Sequence, residues 1–211
     1  MYSSCVPVHL VSHPVAEDAL LTLRDAQTPP IEFRRAARRI STIVLTEALR
    51  DVPTERRTVQ TPLEPAEGAA IGDVVIVPVL RAGLGMLEAA LDLAPAARVG
   101  HLGLRRDEKT AVASRYYAHL PEQIGGSFVL LIDPMLATGG SAVASLDLLV
   151  SAGARNLRLA CIVAAPEGIA AIEGRHPGVD IYTPAVDRAL NARKFILPGL
   201  GDFGDRLYGT V

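Results

Sequence analysis

Two uninterrupted apolar runs, each ending in a glycine-bearing turn, restrict this chain more than any other feature. Asp73-Val-Val-Ile-Val-Pro-Val-Leu80 is followed by Gly83 and Gly85, and Ser127-Phe-Val-Leu-Leu-Ile-Asp133 by Gly139 and Gly140. A strand that is apolar at every position is buried on both faces, as in a parallel sheet; a half-solvated antiparallel strand would alternate. After each turn the pattern predicts a helix, one over Met86 to Leu93 and one ending near Ala152-Gly153. Further strands are expected over Arg98 to Leu104 and Leu157 to Ala164, and a helix over Glu167 to Glu173. Upstream, apolar residues recur at helical spacing from Ala16 to Ala26. Pro29-Pro30 interrupts, and Pro30 suits the first turn of a second helix running to about Arg50. The expected fold is α/β, a parallel sheet flanked by helices.

In such sheets ligands bind outside the carboxyl ends of the strands, so chemistry is sought after Leu80, Leu104 and Asp133. Arg105 to Ser114 reads as a polar, charged loop, and the last 25 residues as a loop-rich tail. With 211 residues the chain is expected to form one domain over 1–211, large enough to bury a core without staples.

Composition removes several classes of function. Cys5 and Cys161 are far apart and show no CxxC spacing, which argues against a disulfide framework or a zinc site. The net charge of −2 gives no global field for nucleic acid or an anionic membrane, and aromatic residues at 4% without Trp disfavour a base-stacking platform. No apolar run is long enough to span a bilayer, and Met1 to His9 lacks the basic and apolar regions of a signal peptide, so a cytoplasmic protein is expected. His9, His101 and His176 fit no metal or triad spacing.

Chemistry concentrates in four stretches. In the first, Asp133-Pro-Met-Leu-Ala-Thr-Gly-Gly-Ser141, a buried strand delivers a carboxylate to its carboxyl end, and hydroxyls and glycines follow at a helix N-terminus. Free N–H groups and the helix dipole there suit a phosphate, and glycine lets the backbone approach it. Pro78-Val-Leu-Arg81-Ala-Gly83-Leu-Gly85 offers loop donors and one guanidinium, a pairing suited to a diphosphate. Arg105-Arg-Asp-Glu-Lys109-Thr110, followed by Tyr116-Tyr117, is either a solvated charged face or a loop closing over an anion. The fourth stretch, Gly199-Leu-Gly201-Asp-Phe-Gly204, matches GxGxxG, but only seven residues remain after it. No helix or βαβ unit is expected there, so a dinucleotide fold is rejected.

These stretches resemble the type I phosphoribosyltransferases, and the Asp-Pro-Met-Leu-Ala-Thr-Gly-Gly-Ser form resembles the uracil phosphoribosyltransferases in particular. The likeness spans the chain, including His13-Pro14, Phe33-Arg34 and Glu47 to Asp51. It implies a type I phosphoribosyltransferase-like sheet with a small hood over the base site at about 182–211. The implied reaction joins uracil to 5-phosphoribosyl 1-diphosphate, giving UMP and diphosphate, with Mg²⁺ bound together with the donor. The implied catalytic residues are Asp133, Arg106 and Asp202. The donor would be held by Arg81, Arg106, Asp133, Pro134, Met135, Leu136, Ala137, Thr138, Gly139, Gly140, Ser141 and Asp202, and uracil by Ile196, Gly201, Asp202 and Phe203. The family carries Ala where this chain has Phe203, and the phenyl ring is expected to point out of the base pocket. Ala111 to Arg115 also depart from the family's usual continuation. A homo-oligomer, dimer or higher, and GTP binding are further implications. The alternatives are a purine-salvage transferase and a non-catalytic regulator that binds the donor or a nucleotide.

Overall fold

The computed structural model describes residues 7–210 except 107–112; the side chains of 105, 106 and 113–115 also lie outside the described set. A short strand β1 (Val8–Leu10) leads into helices α1 (Pro14–Arg24) and α2 (Pro30–Ala48). Each helix starts on proline, and His13 caps α1 by accepting the Val15 N–H at Nδ1. A hairpin of β2 (Thr54–Gln60) and β3 (Pro65–Ile71) precedes the first buried strand, β4 (Val74–Leu80), and helix α3 (Leu84–Leu93). Then come β5 (Arg98–Val99), β6 (His101–Arg106), β7 (Ala113–His119) and β8 (Phe128–Ile132). The short β9 (Met135–Leu136) opens onto α4 (Gly140–Ser151), followed by β10 (Asn156–Ala160), β11 (Val163–Ala164) and α5 (Pro166–Arg175). The chain closes with β12 (Asp180–Thr183), the two-residue strands β13 (Ala189–Leu190) and β14 (Ile196–Leu197), and α6 (Phe203–Tyr208).

The main sheet runs β1-β12-β10-β8-β4-β6-β7, with β5 also on β4. Every pairing is parallel except β6 with β7. Central strands β4 and β8 are in register from Val74↔Phe128 to Pro78↔Ile132. Their alternate residues feed two cores. Val74, Ile76, Phe128, Leu130 and Ile132 pack with α1, α2, α3 and α6, while Val75, Val77, Val79, Val129 and Leu131 pack with α4 and α5. This two-sided burial is what the unbroken apolar runs require. Pro78 fits a central strand because it falls where the ladder to β5 gives way to the ladder to β6.

Four expectations need correction. Leu157 to Ala164 is two strands, β10 in the main sheet and β11 paired with β9, because the Ile162 and Val163 N–H groups turn to Pro134 O. Arg98 to Leu104 is two strands, broken at Gly100, whose N–H donates to Ile76 O. Part of the expected loop at 105–114 belongs to β6 and β7, since antiparallel pairing carries the register out to Arg106↔Ala113. The tail is also more ordered than a loop, because α6 forms there, capped by Asp202 at its start and by left-handed Gly209 at its end. Among the described residues no helix is long and apolar enough to cross a membrane.

Candidate active site

At the carboxyl ends of β4 and β6 a cleft of about 810 Å³ opens, walled by Leu80, Arg81, Ala82, Leu104, Tyr116, Asp202 and Gly204. A smaller cavity of about 200 Å³ adjoins it. Met135 and Ala137 line one side, and Lys194, Phe195, Ile196, Gly201, Asp202 and Phe203 contribute the rest, together with Ala82 and Gly204. The two spaces share Ala82, Asp202 and Gly204. All four residues expected at the base therefore border one cavity, and Arg81 and Asp202 border the cleft beside it.

The loop after β4 is forced into place by packing. A Cβ on Gly83 would lie 2.6 Å from both Ile132 O and Val79 N, so only glycine lets this loop pass beneath the end of β8. That contact ties the segment bearing Arg81 to the segment bearing Asp133. The Leu80–Arg81 peptide is cis. Arg81 meets Asp205 at 3.3 Å and lies over the Tyr208 ring, whose hydroxyl donates to Arg81 O. Both partners come from α6, which pattern reading did not foresee.

Asp133 follows β8, and its N–H donates to Ala160 O at 3.1 Å. Burial pushes its carboxyl up to about 7, against the opposing pull of the Met135 N–H. Pro134 is buried, and its carbonyl accepts from the N–H groups of Ile162 and Val163. Met135 and Leu136 pair with Val163 and Ala164. The Leu136 side chain is buried in the core on the α4–α5 side, so its expected role at the donor is restricted to the main chain.

The turn at Ala137 to Gly139 then opens α4. Gly139, at φ 78°, is the N-cap, and no side chain caps this helix. A Cβ there would sit 2.7 Å from Ala171 Cβ, so the position needs glycine for its backbone angle and for its packing on α5. Thr138, Gly140 and Ser141 flank this helix start, where uncapped N–H groups and the helix dipole suit an anion.

The wall of the smaller cavity is a small hood. β13 and β14 pair antiparallel, and Glu167 of α5 accepts the Leu190 N–H at 3.0 Å. Asp202 caps α6 by accepting the Asp205 N–H at 2.9 Å. Phe203 is 2% exposed and meets Phe33 edge-to-face at 5.2 Å, so its ring points into the core, as expected, while the residue still borders the cavity. Tyr116, noted in the sequence with the charged stretch, lines the cleft, and two side chains beside the smaller cavity, Lys194 and Phe195, had been given no role from the sequence. Phe195 precedes a glycine-rich turn in the sequence, and the structure leaves it exposed. The side chain of Arg106, and all of Asp107 to Thr110, lie outside the described residues. Cys161 is buried, and burial pushes its thiol up to about 12, so it stays neutral and unreactive.

Comparison with known proteins places this geometry. A family model described as uracil phosphoribosyltransferase matches residues 10–210. A relative in Dictyoglomus turgidum named uracil phosphoribosyltransferase is 49% identical over 205 residues, covering 96% of this chain and 99% of that protein. One of the same name in Symbiobacterium thermophilum is 47% identical over 208 residues, covering 96% and 98%. A solved structure from Aquifex aeolicus superposes with a TM-score of 0.92 at 37% identity, over 95% of this chain and 97% of that one. An APRTase from Giardia lamblia, at 16% identity and a TM-score of 0.50, shares the fold over 72% of this chain and 80% of its own.

Proposed function

The chain belongs to the uracil phosphoribosyltransferase family, and we infer that it transfers the 5-phosphoribosyl group from 5-phosphoribosyl 1-diphosphate to uracil, giving UMP and diphosphate. The observation that carries this reading is the pair of adjoining spaces that meet at Ala82, Asp202 and Gly204. One substrate fits beside each, with the bond to be made at their junction. In the assignment proposed here, the turn at Ala137 to Ser141 holds the 5-phosphate at the start of α4. The loop from Arg81 to Gly83 takes the diphosphate, and main-chain groups from Ile196 and Gly201 to Phe203 read the edge of the base.

Breaking the C1–O bond leaves positive charge on the ribose and negative charge on the diphosphate, so the protein has to position uracil N1 and stabilise both charges. Asp133 is suited to the cationic side, since a carboxylate accepts from vicinal ribose hydroxyls and opposes the ring charge. Asp202 adds a second carboxylate at the junction of the two spaces. Arg81, and by resemblance Arg106, take the anionic side. Mg²⁺ belongs to this proposal as part of the donor complex. Asp133 and Asp202 are the carboxylates that would meet a cation arriving with the donor, and a hard cation of this kind takes oxygen ligands. When bound it neutralises diphosphate charge.

The test is formation of UMP from labelled uracil, run with and without the donor and against adenine and hypoxanthine. Donor-dependent UMP with no purine product supports the reading; binding of the donor without turnover would favour a regulator. Arg106→Ala is expected to weaken diphosphate binding by about 1.5–3 kcal/mol while uracil affinity stays nearly unchanged, as calorimetry would show. Unchanged diphosphate binding together with normal turnover would make that loop a solvated surface.

Self-association is also proposed. The β2–β3 hairpin is exposed along almost its whole length, with Leu63 at 94% exposure in its turn, Val59 near that turn and Ile71 exposed at its other end. An isolated two-stranded hairpin is marginal in water and gains from a partner surface. Sedimentation of the whole chain should show a dimer or larger species; a monomer at all concentrations would remove this part. A cytoplasmic setting is the remaining element of the proposal.

A further inference from the structure

Resting on the reading that the hood faces uracil, we propose that the Arg24–Asp187 ion pair is a positioning element for base recognition, setting the peptide planes of the loop that presents Gly201 to Phe203. Arg24 is the last residue of α1, and Asp187 lies in the segment leading into β13, 163 positions away. The guanidinium grips both carboxylate oxygens, Nη2 to Oδ1 at 2.7 Å and Nη1 to Oδ2 at 2.9 Å. Both groups then turn to one residue of the hood. The Gly199 N–H donates to Asp187 Oδ2 at 2.8 Å, and Gly199 O accepts from Arg24 Nη1 at 2.8 Å.

These two bonds fall on either side of one α-carbon. The N–H belongs to the peptide before Gly199 and the carbonyl to the peptide after it, so the ion pair fixes both planes. Asp187 is itself held from the sheet side, since it is buried and its N–H donates to Ala164 O at 2.8 Å. Arg206 continues the anchoring by one residue, donating to Leu200 O at 2.7 Å and also to the carbonyls of Leu23 and Asp25. A point charge would not do this; a planar fork meeting a carboxylate and a carbonyl at once needs arginine.

The consequence reaches the cavity through packing. Gly199 has φ 63°, and a Cβ on it would lie 2.2 Å from Ile196 O. The turn is therefore folded tightly onto Ile196, which walls the cavity, and two residues later the chain reaches Gly201, which walls it as well. A rotation at Gly199 would displace wall residues on both sides of it. Among the described residues no hydrogen bond from Arg24 or Asp187 reaches the segment bearing Arg81 or the turn at Ala137 to Ser141, so the donor, which shares only Asp202 with this loop, should feel a change here less than uracil does.

The test uses the whole chain with Asp187→Asn and Arg24→Lys. The carboxamide keeps the shape of Asp187 but cannot accept on both oxygens, and lysine keeps the charge but loses the fork. For Asp187→Asn the KM for uracil is expected to rise at least about tenfold, the scale of one hydrogen bond to a charged group, while the KM for the donor stays within about threefold. Arg24→Lys should show the same split at smaller size, and it carries the test if Asp187→Asn does not fold. Equal rises in both KM values, or an unchanged uracil KM, would overturn the proposal and leave the pair a fold element only.

Amide hydrogen exchange on the unliganded variants separates this inference from the function it rests on. Exchange over 199–204 should quicken relative to the wild type, while that of β4 and α4 stays the same; no local change would overturn the inference. Wild-type protein that forms no UMP would refute the function instead, and the exchange result would still decide whether the pair sets the loop.

Discussion

Asp133→Asn should lower kcat about 10²-fold or more while donor affinity changes far less, because the lost negative charge matters most when the ribose becomes cationic. The pH dependence gives the prediction a second edge. The carboxyl is pushed up to about 7 by burial, so kcat/KM for the donor should fall on the acid side of about pH 7 in the wild type. The variant, with nothing to protonate there, should lack that limb. Stability should move the other way. A carboxyl whose folded pKa exceeds its unfolded value near 3.8 binds its proton more tightly in the native state, so wild-type stability falls as pH rises from about 3.8 to about 7 and is level above that. The Asn variant escapes this cost and should melt higher at pH 8, by no more than about 4 kcal/mol in stability, with the difference fading toward pH 4. A near-wild-type kcat would remove Asp133 from the mechanism. A variant that melts lower than the wild type at pH 8 would remove the burial argument.

The other large effect is on folding. Phe203 sits 2% exposed with its ring on Phe33, and a Cβ added to Gly85 would meet its Cε1 at 2.8 Å, so α2, α3 and α6 close around it. Phe203→Ala should cost about 3–5 kcal/mol through lost burial and an unfilled cavity. For a chain of this size that corresponds to a fall in Tm of roughly 6–20 °C. Because the ring is packed in the core against Phe33, the KM for uracil, measured well below the new melting point, should change by less than about tenfold. An unchanged Tm with a hundredfold gain in uracil kcat/KM would show the ring inside the pocket and would contradict uracil as the native base.

What pattern reading reaches is set by how local the determining physics is. β4 and β8 were legible because burial on both faces forces every position to be apolar, and the turns after them because glycine there answers to backbone geometry. The β2–β3 hairpin was not legible, since Thr54 to Gln60 is exposed at every position and imposes no apolar period. α6 was missed because six residues beginning on Asp202 hold too little periodicity, and its stability comes from Leu207 and Phe203 entering a core built by distant helices.

At the site, the turn at Ala137 to Ser141 and the segment from Ile196 to Phe203 are each short local stretches, legible because they resemble the family's own. The grip of Asp205 and Tyr208 on Arg81 could not, because it joins segments more than a hundred residues apart. The elevated pKa of Asp133 is likewise a property of what covers it, not of its neighbours in sequence.

The central claim, that the two adjoining spaces form one site with the new bond at their junction, is tested most directly by a crystal structure of the UMP complex. The account predicts the uracil ring in the smaller cavity against Ile196 and Gly201 to Phe203, the ribose hydroxyls at Asp133, and the phosphate at the first turn of α4. Electron density placing the base in the larger cleft beside Arg81 and Tyr116, or the phosphate away from Ala137 to Ser141, would contradict it.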